Sequence, residues 1–196
     1  MTDRAEHEPL LEFREVMRRL RAECPWKAEQ THRSLVRYLL EETHETVEAI
    51  ESGDPDHLRE ELGDLLLQVY FHAVVAEEAG GFTIDDVASG ITAKMVRRNP
   101  HVFGDAASGT AAEINDAWQA IKAAEKDRSD LTEGLPASLP ALLYADKVLD
   151  RLERAGRPVV PDGDGLGERL LALVAEAHGS GTDPEQALRD AVRRLL

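Results

Sequence analysis

Apolar positions recur along this chain at spacings of three and four rather than two, so the pattern predicts helices and no sheet. Residues 8 to 23 read as a first helix, with Leu10, Leu11, Val16, Met17 and Leu20 on one side, ended by Cys24-Pro25-Trp26. Residues 31 to 52 read as a long second helix with Thr31 as its N-cap and an apolar stripe of Val36, Leu39, Leu40, Thr43, Val47 and Ile50. Residues 56 to 78 form a third. Its stretch from Leu65 to Ala76 is apolar nearly all round, as in a helix buried on most sides, and Gly80-Gly81 closes it. Thr83 and Asp86 make an acidic capping box for a fourth helix, which stops at Arg97 or Arg98 ahead of Pro100. After a loop with Gly104, Ser108 and Gly109, residues 110 to 127 form a fifth helix carrying Trp118 and Lys122. The expected fold class is all-α.

Composition shifts toward Leu, Ala and Pro after Gly134, which divides the chain into a domain over 1–130 and a helical tail over 131–196. Ser138 to Arg154 is helical, residues 157 to 165 are a linker rich in Pro and Gly, and the last helices cover about 165 to 178 and 184 to 195. The run from Leu166 to Leu171 resembles that from Leu62 to Leu67 at an offset of 104, and the run from Ala191 to Leu195 can be laid on that from Ile91 to Met95 at an offset of 100. The position matching Glu61 is Gly165, and nothing upstream of it matches Glu41 to Glu45. The tail therefore reads as a truncated, degenerate second copy, or as a chance likeness between Leu- and Ala-rich helices.

Two acidic clusters on the second and third helices carry the chemistry. They are Glu41-Glu42-Thr43-His44-Glu45 and Glu61-Leu62-Gly63-Asp64. Positions i and i+3 share a helix face, so Glu42 projects with Glu45 and Glu61 with Asp64. The turn from Glu51 to Asp56 can fold the third helix back on the second, setting four carboxylates face to face. Like charges about 4 Å apart repel by roughly 4 kcal/mol per pair at an effective dielectric near 20. A cation removes that penalty, and all-oxygen ligation suits Mg²⁺ or Mn²⁺. Either cluster alone is better explained as a solvated helix face. Two clusters one hairpin apart favour a site.

The chain has 196 residues, 42% of them hydrophobic, so a core can form. A formal net charge of −15 argues against nucleic acid or an anionic membrane as partner, but not against a small anion held by a local cation pocket. One cysteine, Cys24, leaves no intrachain disulfide. With no apolar run of membrane length and no signal-peptide pattern, the expected location is the cytoplasm.

In so acidic a chain the local cations stand out. Lys94, Arg97 and Arg98 end the fourth helix beside Asn99-Pro100-His101-Val102-Phe103, with Lys94 and Arg98 on one face. Arg presents phosphate with a planar fork of donors and Lys with a point charge. Cations at a helix C-terminus also answer its dipole, which by itself explains them as well. Trp118 and Lys122 repeat the i, i+4 spacing. Trp26, shortly before the acidic helix, can stack on a base or belong to the core. His44 points away from its acidic neighbours, and His32, His57 and His72 show no ligand-like spacing to one another. No Walker-type phosphate loop and no nucleophile elbow occurs, so any hydrolysis here would have to be metal-assisted rather than covalent.

These residues, in order, resemble the MazG-type nucleoside triphosphate pyrophosphohydrolases of the all-α NTP pyrophosphatase superfamily. The likeness runs from Cys24-Pro25-Trp26 through Glu41, Glu42 and Glu45, then Glu61 and Asp64 after fifteen intervening residues, then Lys94 to Phe103, then Trp118 and Lys122. It covers roughly residues 10 to 127, and Ser138 to Leu142 is similar to the family's linker into a second domain. The resemblance implies an antiparallel bundle with four core helices, built as a homodimer. It implies hydrolysis of an NTP between the α and β phosphates to NMP and pyrophosphate, for housecleaning or control of NTP pools. It implies metal ligation by Glu42, Glu45, Glu61 and Asp64, with Glu41 assisting or orienting water. It implies phosphate contacts from Lys94, Arg97 and Arg98, with Lys122 nearby, and a nucleotide pocket lined by Trp118. The tail departs from the family, since two-domain members carry a second complete acidic set. A nucleotide-binding regulatory module that has lost turnover is the alternative. A di-iron carboxylate bundle ranks lower, because it wants Glu-x-x-His pairs that the acidic clusters lack.

Overall fold

A computed structural model describes residues 8–106, 108–125 and 130–195. Among them are ten helices: α1 (Pro9–Glu23), α2 (Pro25–Ala28), α3 (His32–Ser52), α4 (Pro55–Glu78), α5 (Ile84–Arg98), α6 (Pro100–Phe103), α7 (Ala111–Ala124), α8 (Ala141–Arg154), α9 (Leu166–Gly179) and α10 (Pro184–Arg193). The chain is all-α over this range and separates into two compact units that meet in sequence between Trp118 and Gln119.

Local chemistry sets the helix ends. Thr31 and Ser34 form a capping box at the start of α3, and Thr83 and Asp86 do the same for α5. The Asp54 side chain accepts from the backbone N–H groups of Asp56 and His57, so α4 begins one residue after its cap, with Pro55 in its first turn. Between α3 and α4, Gly53 takes φ 73°, which lets the chain reverse within three residues. Two short helices depart from the loops expected there. Pro25 and Pro100 each open a single turn, α2 and α6, because proline is preset for the first helical position.

The first unit is built on the antiparallel α3–α4 hairpin, with α1 and α5 packed on α4. Its core is Met17, Leu35, Tyr70, Phe71 and Val74, joined by Phe13, Leu20 and Leu67. The Tyr70 hydroxyl donates to the Leu10 carbonyl at 3.1 Å. Arg18 pairs with Glu77 at 2.7 Å and Arg21 with Glu78 at 2.6 Å, fastening α1 along the end of α4. Arg21 also donates to the carbonyls of Lys27 and Gln30, which fixes the α2 segment ahead of α3.

Two expected faces sit differently. On α1 the inward positions are Phe13, Met17 and Leu20, while Leu10, Leu11 and Val16 are exposed. On α3 the hairpin buries Leu35, Thr46 and Ala49, whereas Val36, Leu40 and Ile50 of the predicted stripe are about half exposed. On α4, Leu62 and Val69 are exposed beside a face that is otherwise buried.

In the second unit α8, α9 and α10 pack on one another. His178 of α9 bridges two acids of α8: Nδ1 lies 2.8 Å from Asp146 Oδ1 and Nε2 3.1 Å from Glu153 Oε2. These hydrogen bonds raise the His178 pKa above the usual imidazole value, Asp146 contributing most and burial opposing. Leu166, Leu170 and Leu173 of α9 and Leu188 and Val192 of α10 are exposed.

Candidate active site

The acidic clusters meet where α3 and α4 run side by side. One carboxylate oxygen from each of Glu42, Glu45 and Glu61 can be chosen so that all three lie within 4.8 Å of one another. Two residues one turn apart on α3 and one on α4 achieve this, as the i, i+3 spacing and the tight Gly53 turn allow. Asp64 stands one turn along α4 from Glu61, and its charge acts on Glu42. Burial first, then the fields of Asp64, Glu45, Glu61 and Glu41, raise the Glu42 pKa above the usual carboxylate value. Glu41 is exposed on the adjacent position. An octahedral Mg²⁺ with Mg–O near 2.1 Å sets neighbouring ligand oxygens ~3 Å and opposite ones ~4.2 Å apart. The oxygens would close from within 4.8 Å of one another to those separations, and the donor set is all hard oxygen, so these residues fit a divalent cation of that kind.

Two contacts around the cluster escaped the sequence reading. The Thr46 hydroxyl, buried between the helices, donates to the Glu42 carbonyl at 2.7 Å and lies 3.4 Å from the Glu61 carbonyl. It joins the two acidic turns at the backbone. His57 Nε2 stands 3.3 Å from Glu61 Oε1, and the Glu61 side chain is only 13% exposed. A histidine four residues ahead of an acid on a helix is the signal that would have found this pair.

The expected phosphate and base contacts are placed as follows. Lys94 and Arg97 are exposed near the end of α5. Arg98 is buried, with its guanidinium 5.1 Å from the centre of the Trp118 ring, a cation–π contact. Arg98, His101, Glu113, Ile114 and Trp118 line a small pocket. Lys122 follows Trp118 by one turn of α7 but belongs to the second unit. Trp26 packs edge-on against Tyr38 at 5.8 Å and near Phe71 at 6.5 Å, and it keeps nearly half its surface exposed. Lys27 Nζ lies over both Trp26 and Phe71.

The hairpin register also joins His32 to His72, a pairing that spacing along the chain does not reveal. Their Nδ1 atoms are 2.8 Å apart and their rings are parallel with centroids 5.1 Å apart. That centroid distance matches an in-plane, head-to-head N–H···N bond rather than face stacking, so one ring donates and the other accepts. Burial first, then His32, lowers the His72 pKa. This pair lies two turns along α4 from Asp64 and holds the start of α3 to α4.

Comparison with known proteins identifies the family. The MazG nucleotide pyrophosphohydrolase domain family matches residues 30–103. The nucleoside triphosphate pyrophosphohydrolase/pyrophosphatase MazG of Thermotoga maritima is 35% identical over 208 aligned positions, covering 92% of this chain and 80% of that protein. The nucleoside triphosphate pyrophosphohydrolase of Mycobacterium tuberculosis is 42% identical, covering 94% of this chain and 55% of its own length, and that of Escherichia coli is 42% identical, covering 72% and 56%. This chain thus spans just over half the length of those two enzymes. The crystal structure of a MazG-related protein from Thermotoga maritima superposes with a TM-score of 0.51 at 26% identity, covering 58% of this chain and 98% of that one. The acidic hairpin, the helical architecture and these relatives together place the chain in the MazG family of nucleotide pyrophosphohydrolases.

Proposed function

We propose that the chain hydrolyses nucleoside triphosphates between the α and β phosphates, releasing NMP and pyrophosphate, with Mg²⁺ or Mn²⁺ held by Glu42, Glu45, Glu61 and Asp64. The observation that carries this reading is the convergence of three carboxylate oxygens within 4.8 Å across the hairpin, with Asp64 beside them. The cation, when bound, supplies charge to the reacting phosphoryl group and acidity to water. Glu41, exposed next to Glu42, is suited to orient that water or accept its proton. Lys94, Arg97 and Arg98 answer the charge of the phosphates and of departing pyrophosphate. Trp118, already carrying Arg98 on its face, lines the nucleotide pocket.

The working form in this reading is a homodimer. Val36, Leu40 and Ile50 on α3, with Leu62 and Val69 on α4, leave an apolar face on the hairpin that bears the acids, and a second copy would cover it. The tail over 131–196 has a packing role, and the lone Cys24 suits the reducing cytoplasm, where NTP pools are policed. Pyrophosphate release from a panel of canonical and modified NTPs, with Mg²⁺ and with chelator, tests the activity. Turnover that depends on the cation supports it. Tight nucleotide binding without turnover would make the chain a regulatory module instead. Sedimentation at micromolar concentration tests the dimer, and a fully active monomer would refute it.

A further inference from the structure

Glu61 differs from the other acids of the cluster in having a neighbour of opposite character close to one oxygen. His57 Nε2 stands 3.3 Å from its Oε1, and the two residues sit one turn apart at the start of α4. The His57 backbone N–H donates to the Asp54 cap, which fixes the first turn of α4 from which the imidazole projects. The Glu61 side chain is only 13% exposed, which limits its room to turn away. With the imidazole facing Oε1 at 3.3 Å, the other carboxylate oxygen is the one left to turn toward a cation.

We propose that His57 is a positioning residue that holds Glu61 to one-oxygen ligation and thereby biases the site toward small octahedral cations. Mg²⁺ and Mn²⁺ take one oxygen per carboxylate and keep several waters. Ca²⁺ takes more oxygens, commonly both from one carboxylate. A Glu61 that could turn both oxygens inward would suit Ca²⁺ better and Mg²⁺ less well. Partners of metal-ligating carboxylates typically alter affinity by about 10- to 100-fold. His57 is 41% exposed at the side chain, so the lower end of that range applies.

The inference rests on the acids being a cation site, and the test separates the two. Free Mn²⁺ is counted by electron paramagnetic resonance in nucleotide-free full-length protein, with Mg²⁺ and Ca²⁺ as competitors. In the wild type, Mg²⁺ should displace Mn²⁺ more readily than Ca²⁺ does. In His57→Ala the Mg²⁺ preference over Ca²⁺ should fall by about tenfold. In His57→Gln, whose amide keeps an N–H donor of similar reach, the preference should stay within about threefold of wild type. Unchanged selectivity in His57→Ala, or equal loss in both variants, overturns the positioning role while leaving the metal site standing. A wild type that binds no Mn²⁺ overturns the metal site itself and this inference with it.

Discussion

Glutamine at position 42 should make the metal-free protein more stable. Glu42 has exposed Glu45 and nearly buried Glu61 within 4.8 Å, and Asp64 adds to their field. Coulomb's law at that distance gives ~3.5 kcal/mol per pair at an effective dielectric of 20 and ~0.9 kcal/mol in water. Glu45 is exposed, so solvent screening holds its pair near the lower figure, while Glu61 lies between the two limits. Removing the Glu42 charge should therefore relieve about 2 kcal/mol, which for a chain of this size raises the melting temperature by roughly 4–8 °C. The sign with pH follows from the raised Glu42 pKa. A carboxyl that protonates more readily in the folded state contributes stability that is complete below its ordinary value of 4.5 and is lost as pH rises through the folded value. The advantage of Glu42→Gln should thus be absent in acid and reach its full size at neutral pH. Mg²⁺ should raise the wild-type melting temperature and raise that of the variant less. Differential scanning calorimetry from pH 4 to 8, with and without Mg²⁺, reads all three. A variant less stable than wild type at pH 7 would refute the mutual repulsion.

Three further outcomes are expected. Glu45→Ala or Asp64→Ala should abolish pyrophosphate release and leave the far-ultraviolet circular dichroism spectrum helical, whereas full activity in either would remove that residue from the site. Thr46→Val, which deletes the buried hydroxyl between the acidic turns, should cost about 1 kcal/mol in denaturant unfolding, and no change would show the hydroxyl to be dispensable. The His178 ring proton should titrate by NMR with a midpoint above 6.5, because both ring nitrogens face carboxylates. That contribution to the second unit is fully present below pH 6.5 and disappears as pH rises through the folded value, so a midpoint at or below 6.5 would refute the bridge.

Much of the fold could be read from the chain because its helix boundaries are written in local chemistry. Thr31, the Thr83–Asp86 pair and Gly80 each act within a turn of themselves, and the observed ends follow them closely. The acids of the site were legible for a similar reason, since helical spacing fixes which carboxylates share a face. What the pattern did not fix was the inward side of α3. Leu35, Thr46 and Ala49 are smaller or more polar as a set than Val36, Leu40 and Ile50, yet the hairpin buries the former. Hydrophobicity marks a face that wants cover without saying which neighbour covers it. The pairing of His32 with His72 depends on antiparallel register across forty positions, and that register emerges only when α3 and α4 dock. The Arg98–Trp118 contact likewise needs α7 beside the end of α5. His57 beside Glu61 is different, because its i, i+4 spacing stands in the sequence itself.

The α3–α4 acids are proposed to direct water to an NTP between its α and β phosphates. Product analysis by ³¹P NMR, with ATP, Mg²⁺ and the full-length chain, tests it most directly, with Asp64→Ala as the control. The wild type should give AMP and pyrophosphate in equal amounts, and the variant neither. ADP and orthophosphate, or equal pyrophosphate release from wild type and variant, would contradict it.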